Sequence, residues 1–237
     1  MLGIDSPRTL PDTLGLESLA AGVGARYERF MSGSVVRSFL GRGGRVFVAT
    51  ERQPAWAVER LIGLGHRHFA EKYVQEAASK WPRWRSNAPG LVVHDFGRLQ
   101  SNKVRRALAL FDAIESVDRP SLAFALGRRL APGNAAPALY IQVNTGREPQ
   151  KGGVPPEHVE SFAALCRDEA GLRIAGLMAI PPRRDEPRFH FRLLRGLADR
   201  LHVAECCMGM SGDFEAAIEC GSTAIRIGRV VFDASLG

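Results

Sequence analysis

The sequence predicts a single (β/α)8 barrel, and three observations carry that prediction. Eight short apolar runs alternate with amphipathic stretches between residues 46 and 227, the pattern of a parallel sheet whose strands are covered by helices. The length of 237 residues accommodates eight such repeats in one closed domain. Polar signatures recur directly after the apolar runs, at the strand ends where barrel chemistry collects. An open doubly wound sheet is the runner-up, because alternation alone does not show closure. No Gly-x-Gly-x-x-Gly follows the first run, which weakens a dinucleotide-binding version of that alternative.

Residues 1–15, with Pro7 and Pro11, read as a loose leader to one domain spanning residues 16–237. From Leu16 to about Phe39 the apolar spacing is helical (Leu16, Leu19, Val23, Tyr27, Phe30), interrupted by Ser32-Gly33-Ser34. The strand candidates are Val46–Ala49, His68–Phe69, Leu91–Val93, Ala113–Ile114, Ala138–Val143, Ile174–Met178, Cys206–Met208 and Ala224–Ile227. Helices are expected at Ala55–Leu64, Tyr73–Trp81, Asn102–Leu110, Ser121–Leu130, Pro156–Arg167, Arg188–His202 and Asp213–Glu219. No repeat of fixed period and no low-complexity linker divides the chain.

The hydrophobic share of 45% and charged share of 24% are those of a soluble globular protein. No stretch approaches the roughly 18–20 apolar residues of a membrane span. The N-terminus lacks the compact apolar run of a secretory signal, so the cytoplasm is the expected location. Cys166, Cys206, Cys207 and Cys220 show no metal-ligand spacing and read as apolar core residues in a reducing compartment. Cys206 and Cys207 should face opposite sides of their strand. His66 and His68 are expected on one strand face without a third metal ligand.

The net charge of +7 raises nucleic acid as a partner. The arginines are scattered, however, and no basic stripe interleaves with aromatics, so a solvated exterior is the better reading. Lysine is scarce, with only Lys72, Lys80, Lys103 and Lys151.

The polar signatures can bind a phosphate monoester. Ser211 offers a hydroxyl just before a helix start, with Asp213 near the N-terminus of that helix. Gly228 permits close backbone approach, so the Gly228 and Arg229 amides can donate to an anion. The Arg229 guanidinium either adds a charge-assisted bond or points to solvent.

Several motifs occur in order: Phe69-Ala-Glu-Lys-Tyr-Val-Gln-Glu76, Phe96-Gly-Arg-Leu-Gln-Ser-Asn-Lys103, Gln142-Val-Asn-Thr-Gly146, Gly176-Leu-Met-Ala-Ile-Pro-Pro182, Met208-Gly-Met-Ser211 and Ala224-Ile-Arg-Ile-Gly228. Over about residues 45 to 232 the chain resembles the pyridoxal-phosphate homeostasis proteins, single-domain relatives of the alanine racemase N-terminal barrel. The resemblance implies that fold, a cytoplasmic vitamin B6 role without catalysis, and pyridoxal 5′-phosphate as ligand. It assigns the phosphate to Ser211, Gly228 and Arg229 and the pyridine nitrogen to Arg226.

One departure stands out. The family carries a Ser-Lys-Thr-Lys-Pro-like turn after its first strand, and the first lysine forms a Schiff base with the cofactor. Aligned on Pro54, that lysine falls on Glu51 and the second on Gln53, and no lysine precedes Lys72. A carboxylate cannot form an imine, so the cofactor is expected to be held non-covalently or lost. Lys72 stands where the family has asparagine. It either takes over the covalent link across the roughly 5 Å between strands or snorkels at a helix start. Two further readings follow from the resemblance: a degenerate barrel with a regulatory or interaction role, and an amino-acid racemase. The racemase is disfavoured by the missing lysine, by Arg226 at the ring nitrogen and by the absence of a β domain after the last strand.

Overall fold

Apolar runs without a polar alternate position require each strand to bury both faces, one inside a barrel and one beneath helices. The computed structural model describes residues 13–130 and 136–236. Among these, eight parallel strands close into a barrel in chain order. They are β1 (Arg45–Ala49), β2 (His68–Glu71), β3 (Val92–Asp95), β4 (Ala113–Val117), β5 (Ala138–Gln142), β6 (Ile174–Met178), β7 (Glu205–Cys207) and β8 (Ala224–Ile227). Closure is made by β1 on β8, with Arg45 beside Ala224 through Val48 beside Ile227. That pairing excludes the open sheet.

The helices are α1 (Thr13–Ser32), α2 (Ser34–Gly41), α3 (Ala55–Gly63), α4 (Val74–Arg85), α5 (Val104–Leu108), α6 (Pro120–Gly127), α7 (Val159–Asp168), α8 (Pro187–Arg200), α9 (Phe214–Glu219) and α10 (Arg229–Phe232). Helix α1 begins inside the segment expected to be a loose leader, whose residues 1–12 lie outside the described residues. The expected break at Gly33 separates α1 from α2. Helix α4 runs past Trp81 and Pro82 to Arg85. A proline there forfeits one helical hydrogen bond, and the buried rings of Trp81 and Trp84 on either side, 5.2 Å apart, hold the last turn in place. The short helix α10 was not foreseen.

Two apolar layers result. Phe47, Ala70, Ala113, Tyr140, Met178, Cys207 and Ala224 fill the barrel interior. Val48, Phe69, Val93, Ile141, Leu177, Cys206 and Ile225 belong to the larger core beneath the helices. Cys206 and Cys207 thus face opposite sides, as alternation predicts. The two histidines do not share a face. His66 precedes β2 and lies among the helices, its Nδ1 3.1 Å from the Tyr27 hydroxyl, whereas His68 meets the Phe47 ring inside the barrel. Strand β2 begins only at His68, so the two-residue period does not extend back to His66.

Glycine is required where strand ends crowd. A Cβ at Gly97 would sit 1.8 Å from the Lys72 carbonyl oxygen, so the loop after β3 can pack on β2 only without a side chain. Gly209, at φ +99°, turns the chain after β7 where a Cβ would lie 2.5 Å from that of Ala217. Among the described residues no helix is long and apolar enough to cross a membrane.

Candidate functional site

In a parallel barrel all strands end on the same rim. Residues 50–52, 71–72, 97–98, 144–145, 181–182, 211–212 and 226–229 therefore lie together there, each set at or just beyond the end of its strand.

The turn after β1 is held from below by charge. Thr50 Oγ1 donates to Glu71 Oε1 at 2.7 Å, and Lys80 of α4 donates to the Thr50 carbonyl at 2.7 Å. Lys80 also pairs with Glu71 at 3.2 Å and Glu76 at 2.5 Å. The Arg52 amide donates to Glu76 at 2.6 Å, fixing Arg52 at φ +60°, a conformation uncommon outside glycine. Glu71 is fully buried and also accepts from the Trp81 indole at 3.1 Å. Burial pushes its carboxyl up, against the pull of Lys80 and of its donors.

Glu51 sits half-buried on this clamped turn. Burial raises its carboxyl; its own backbone amide and the nearby Lys72 and Lys80 pull the other way, while Glu76 adds to the rise. Lys72 is exposed, with its ammonium 5.8 Å from the Tyr73 ring. Ala49 lies beside Ala70, so the turn residue two positions on, Glu51, and Lys72 are neighbours across the rim.

Beneath the rim runs a buried polar network. Arg226 donates through Nη1 to Glu115 Oε2 and, at 2.9 Å, to the Cys207 sulfur. His94 Nδ1 lies 2.5 Å from Glu115 Oε1. Burial alone would push the Glu115 carboxyl up, but Arg226 and His94 hold it below the usual range. The ring of Phe96 lies 5.4 Å beneath the Arg226 guanidinium. The second nitrogen, Nη2, is buried and has no hydrogen-bond partner among the described residues. The field of Arg226 reaches both Glu51 and Asp213.

On the opposite flank, Ser211 Oγ accepts from the Gly228 amide at 3.2 Å and the Val230 amide at 3.4 Å. The two amides thus hold the serine oxygen and leave its hydroxyl proton free to donate. The sequence had assigned the Gly228 amide directly to an anion; here it is spoken for by Ser211. The Arg229 guanidinium folds back toward Gly212, within 3.5 Å of the position a Cβ would take there. Asp213 Oδ1 accepts from the Met210 amide at 2.6 Å, and burial raises its carboxyl.

All six residues singled out in the sequence lie on or just below one rim, with Arg226 acting on Glu51 to one side and on Asp213 to the other. Sequence reasoning missed Glu115, although a signal existed: it is a carboxylate in an otherwise apolar run, at the parity of Ala113. The donor set fits two parts of a phosphorylated pyridine. An unpartnered buried N–H suits an aromatic nitrogen acceptor, and a free hydroxyl beside a guanidinium suits phosphate. It does not fit a covalent link at residue 51.

Comparison with known proteins agrees with this geometry. The profile of the family described as alanine racemase, N-terminal domain matches residues 54–235. A pyridoxal phosphate homeostasis protein of Aquifex aeolicus is 34% identical over 204 residues, covering 81% of this chain and 89% of the relative. The chain belongs to the pyridoxal phosphate homeostasis protein family. Its Escherichia coli relative is 35% identical over 80% of this chain and 85% of its own length. Among solved structures, PipY of Synechococcus elongatus superposes with a TM-score of 0.79 at 31% identity, over 89% of this chain and 99% of PipY. PipY is also known with pyridoxal phosphate bound, and that form superposes at a TM-score of 0.75. The family profile begins at Pro54, directly after the turn that carries Glu51.

Proposed function

We propose that this family member binds a vitamin B6 phosphate, pyridoxal phosphate included, non-covalently in the barrel mouth and handles it without transforming it. The observation that carries the reading is the buried Arg226, whose Nη2 lacks a hydrogen-bond partner among the described residues, set below a rim with a donor hydroxyl and Arg229 at one flank and a carboxylate at residue 51. Arg226 would receive the pyridine nitrogen. The Ser211 hydroxyl and Arg229 would receive the phosphate, with the Gly228 amide holding the Ser211 oxygen in place. Pyridoxal phosphate supplies an electron sink when its ring nitrogen is protonated, and an arginine partner, which gives up no proton, leaves that sink weak. Glu115 strengthens the effect by keeping Arg226 charged and fixed. These residues serve to hold and orient a ligand, which argues for a carrier or buffer and against a racemase. The absence of a membrane-crossing helix among the described residues and the family's bacterial homeostasis role support a cytoplasmic setting.

Equilibrium dialysis against pyridoxal phosphate tests this. Retention that falls in Ser211→Asp, where like charges meet, supports the phosphate assignment; equal retention in parent and variant overturns it. Borohydride treatment of the complex should leave no ligand attached, and covalent capture would move the attachment to Lys72.

A further inference from the structure

A lysine and an aldehyde are complementary because one supplies an amine and the other a carbonyl. With a carboxylate on the protein, the complementary ligand is the one that brings the amine. We propose that Glu51 makes this mouth selective for B6 phosphates bearing an aminomethyl group, pyridoxamine phosphate foremost, an inference that rests on the B6-phosphate reading above.

Geometry places Glu51 where such a group would meet it. The Phe47 ring points into the barrel, against those of His68 and His94, so residue 49 shares its face and residue 51 follows at the rim. Phe47 lies beside Arg226, and the backbone of Gly228 approaches Ala49, with 3.5 Å between a Cβ built there and the Ala49 carbonyl oxygen. Glu51 therefore stands over the strand next to the proposed ring-nitrogen donor, and its charge acts on Arg226.

The carboxylate is also uncommitted. Among the described residues, the cations around it are engaged elsewhere: Lys80 by Glu71 and Glu76, and Arg226 by Glu115. Lys72 is exposed, and its ammonium lies near the Tyr73 ring. No ion pair reaches Glu51 from any of them. The turn is meanwhile pre-set by Lys80, Glu71 and the bond from the Arg52 amide to Glu76, so little ordering is required on binding.

Ligand chemistry then sorts the vitamers. An ionised carboxylate only accepts hydrogen bonds. The aldehyde of pyridoxal phosphate presents a second acceptor to it, the hydroxymethyl of pyridoxine phosphate a neutral donor, and the aminomethyl of pyridoxamine phosphate a charged donor. Charge-assisted bonds are roughly twice as strong as neutral ones.

Titration calorimetry of the full chain with pyridoxamine phosphate, pyridoxine phosphate, pyridoxal phosphate and inorganic phosphate decides the matter. Pyridoxamine phosphate is expected to bind roughly tenfold more tightly than pyridoxine phosphate, a difference of about 1.4 kcal/mol. In Glu51→Gln that ratio should fall to near one. Equal binding of the two vitamers by the parent overturns the selectivity and leaves the B6-phosphate reading standing. Neither binding better than inorganic phosphate overturns both. A ratio that persists in Glu51→Gln removes Glu51 as its cause. The parent's ratio decides even if the variant fails to fold.

Discussion

A carboxylate at residue 51 and a carboxylate at residue 95 are the two side chains whose replacement is most informative. Glu51→Lys should create a borohydride-reducible absorption band with pyridoxal phosphate and slow its release. Arg52 and Lys72 flank the new amine and would lower its pKa, which favours the neutral nucleophile. An unchanged spectrum would place the aldehyde away from this turn. Asp95 is buried, with Oδ1 3.3 Å from the Gly97 amide, and the Ser116 hydroxyl lies close enough to act on its carboxyl. Burial raises its carboxyl well above the aspartate range, so the folded state holds the proton more tightly than the unfolded chain does. That contribution to stability is complete below the unfolded pKa of about 3.9 and is lost as pH rises through the folded value. Asp95→Asn keeps the acceptor for Gly97 and adds a donor facing Ser116. It should raise stability at neutral pH by about 1–3 kcal/mol and flatten the melting temperature against pH. A loss of stability at neutral pH would refute the assignment.

At the scale of elements, α4 acts as a brace between the ends of β1 and β2. Lys80 reaches the Thr50 carbonyl, Glu71 and Glu76, so removing its charge strands the buried Glu71. Lys80→Met should cost about 3–5 kcal/mol, and the double variant Lys80→Met with Glu71→Met should lose less than the sum of the two single losses. Urea titrations of Lys80→Met, Glu71→Met and the double variant read this directly; additive losses would show that the pair is not coupled. The β2–β3 rim has a steric counterpart. Gly97→Ala drives a Cβ into the Lys72 carbonyl, and the strand end must move because backbone cannot swing aside. A loss of more than about 2 kcal/mol is expected, with weaker ligand binding because Lys72 and the rim shift together.

At the scale of the molecule, closure couples the ends of the chain. β8 pairs with β1 along four residues, and the Arg226–Glu115 contact ties β8 to β4 through the barrel interior. No strand pair is then an independent unit, so unfolding should be one cooperative transition. Fluorescence from Trp56, Trp81 and Trp84 and far-ultraviolet dichroism should report the same urea midpoint. Separate midpoints would mean that part of the barrel unfolds alone. The charge of +7 belongs to this scale too. Many arginines sit in exposed ion pairs such as Arg147 with Glu157 and Arg188 with Glu219, which contribute little to stability singly.

Local chemistry made much of this legible in the sequence. The alternation of apolar runs, the glycines at strand ends and the order of the polar signatures determine eight strands with their polar ends on one side, and Glu51 stands out because no lysine precedes Lys72 in the chain. Sequence alone also separates Cys206 from Cys207, since their separation needs only the period of a strand. Tertiary structure decided what depends on distant partners. Barrel closure follows from β1 meeting β8, residues some 180 positions apart, and no local pattern encodes that pairing. The role of Glu115 follows from Arg226 arriving from the opposite side of the barrel. The brace of Lys80 on Thr50 depends on where α4 lands. Periodicity reports which face a residue shows; only the closed barrel, by bringing strands of high sequence separation to one rim, decides what each face meets.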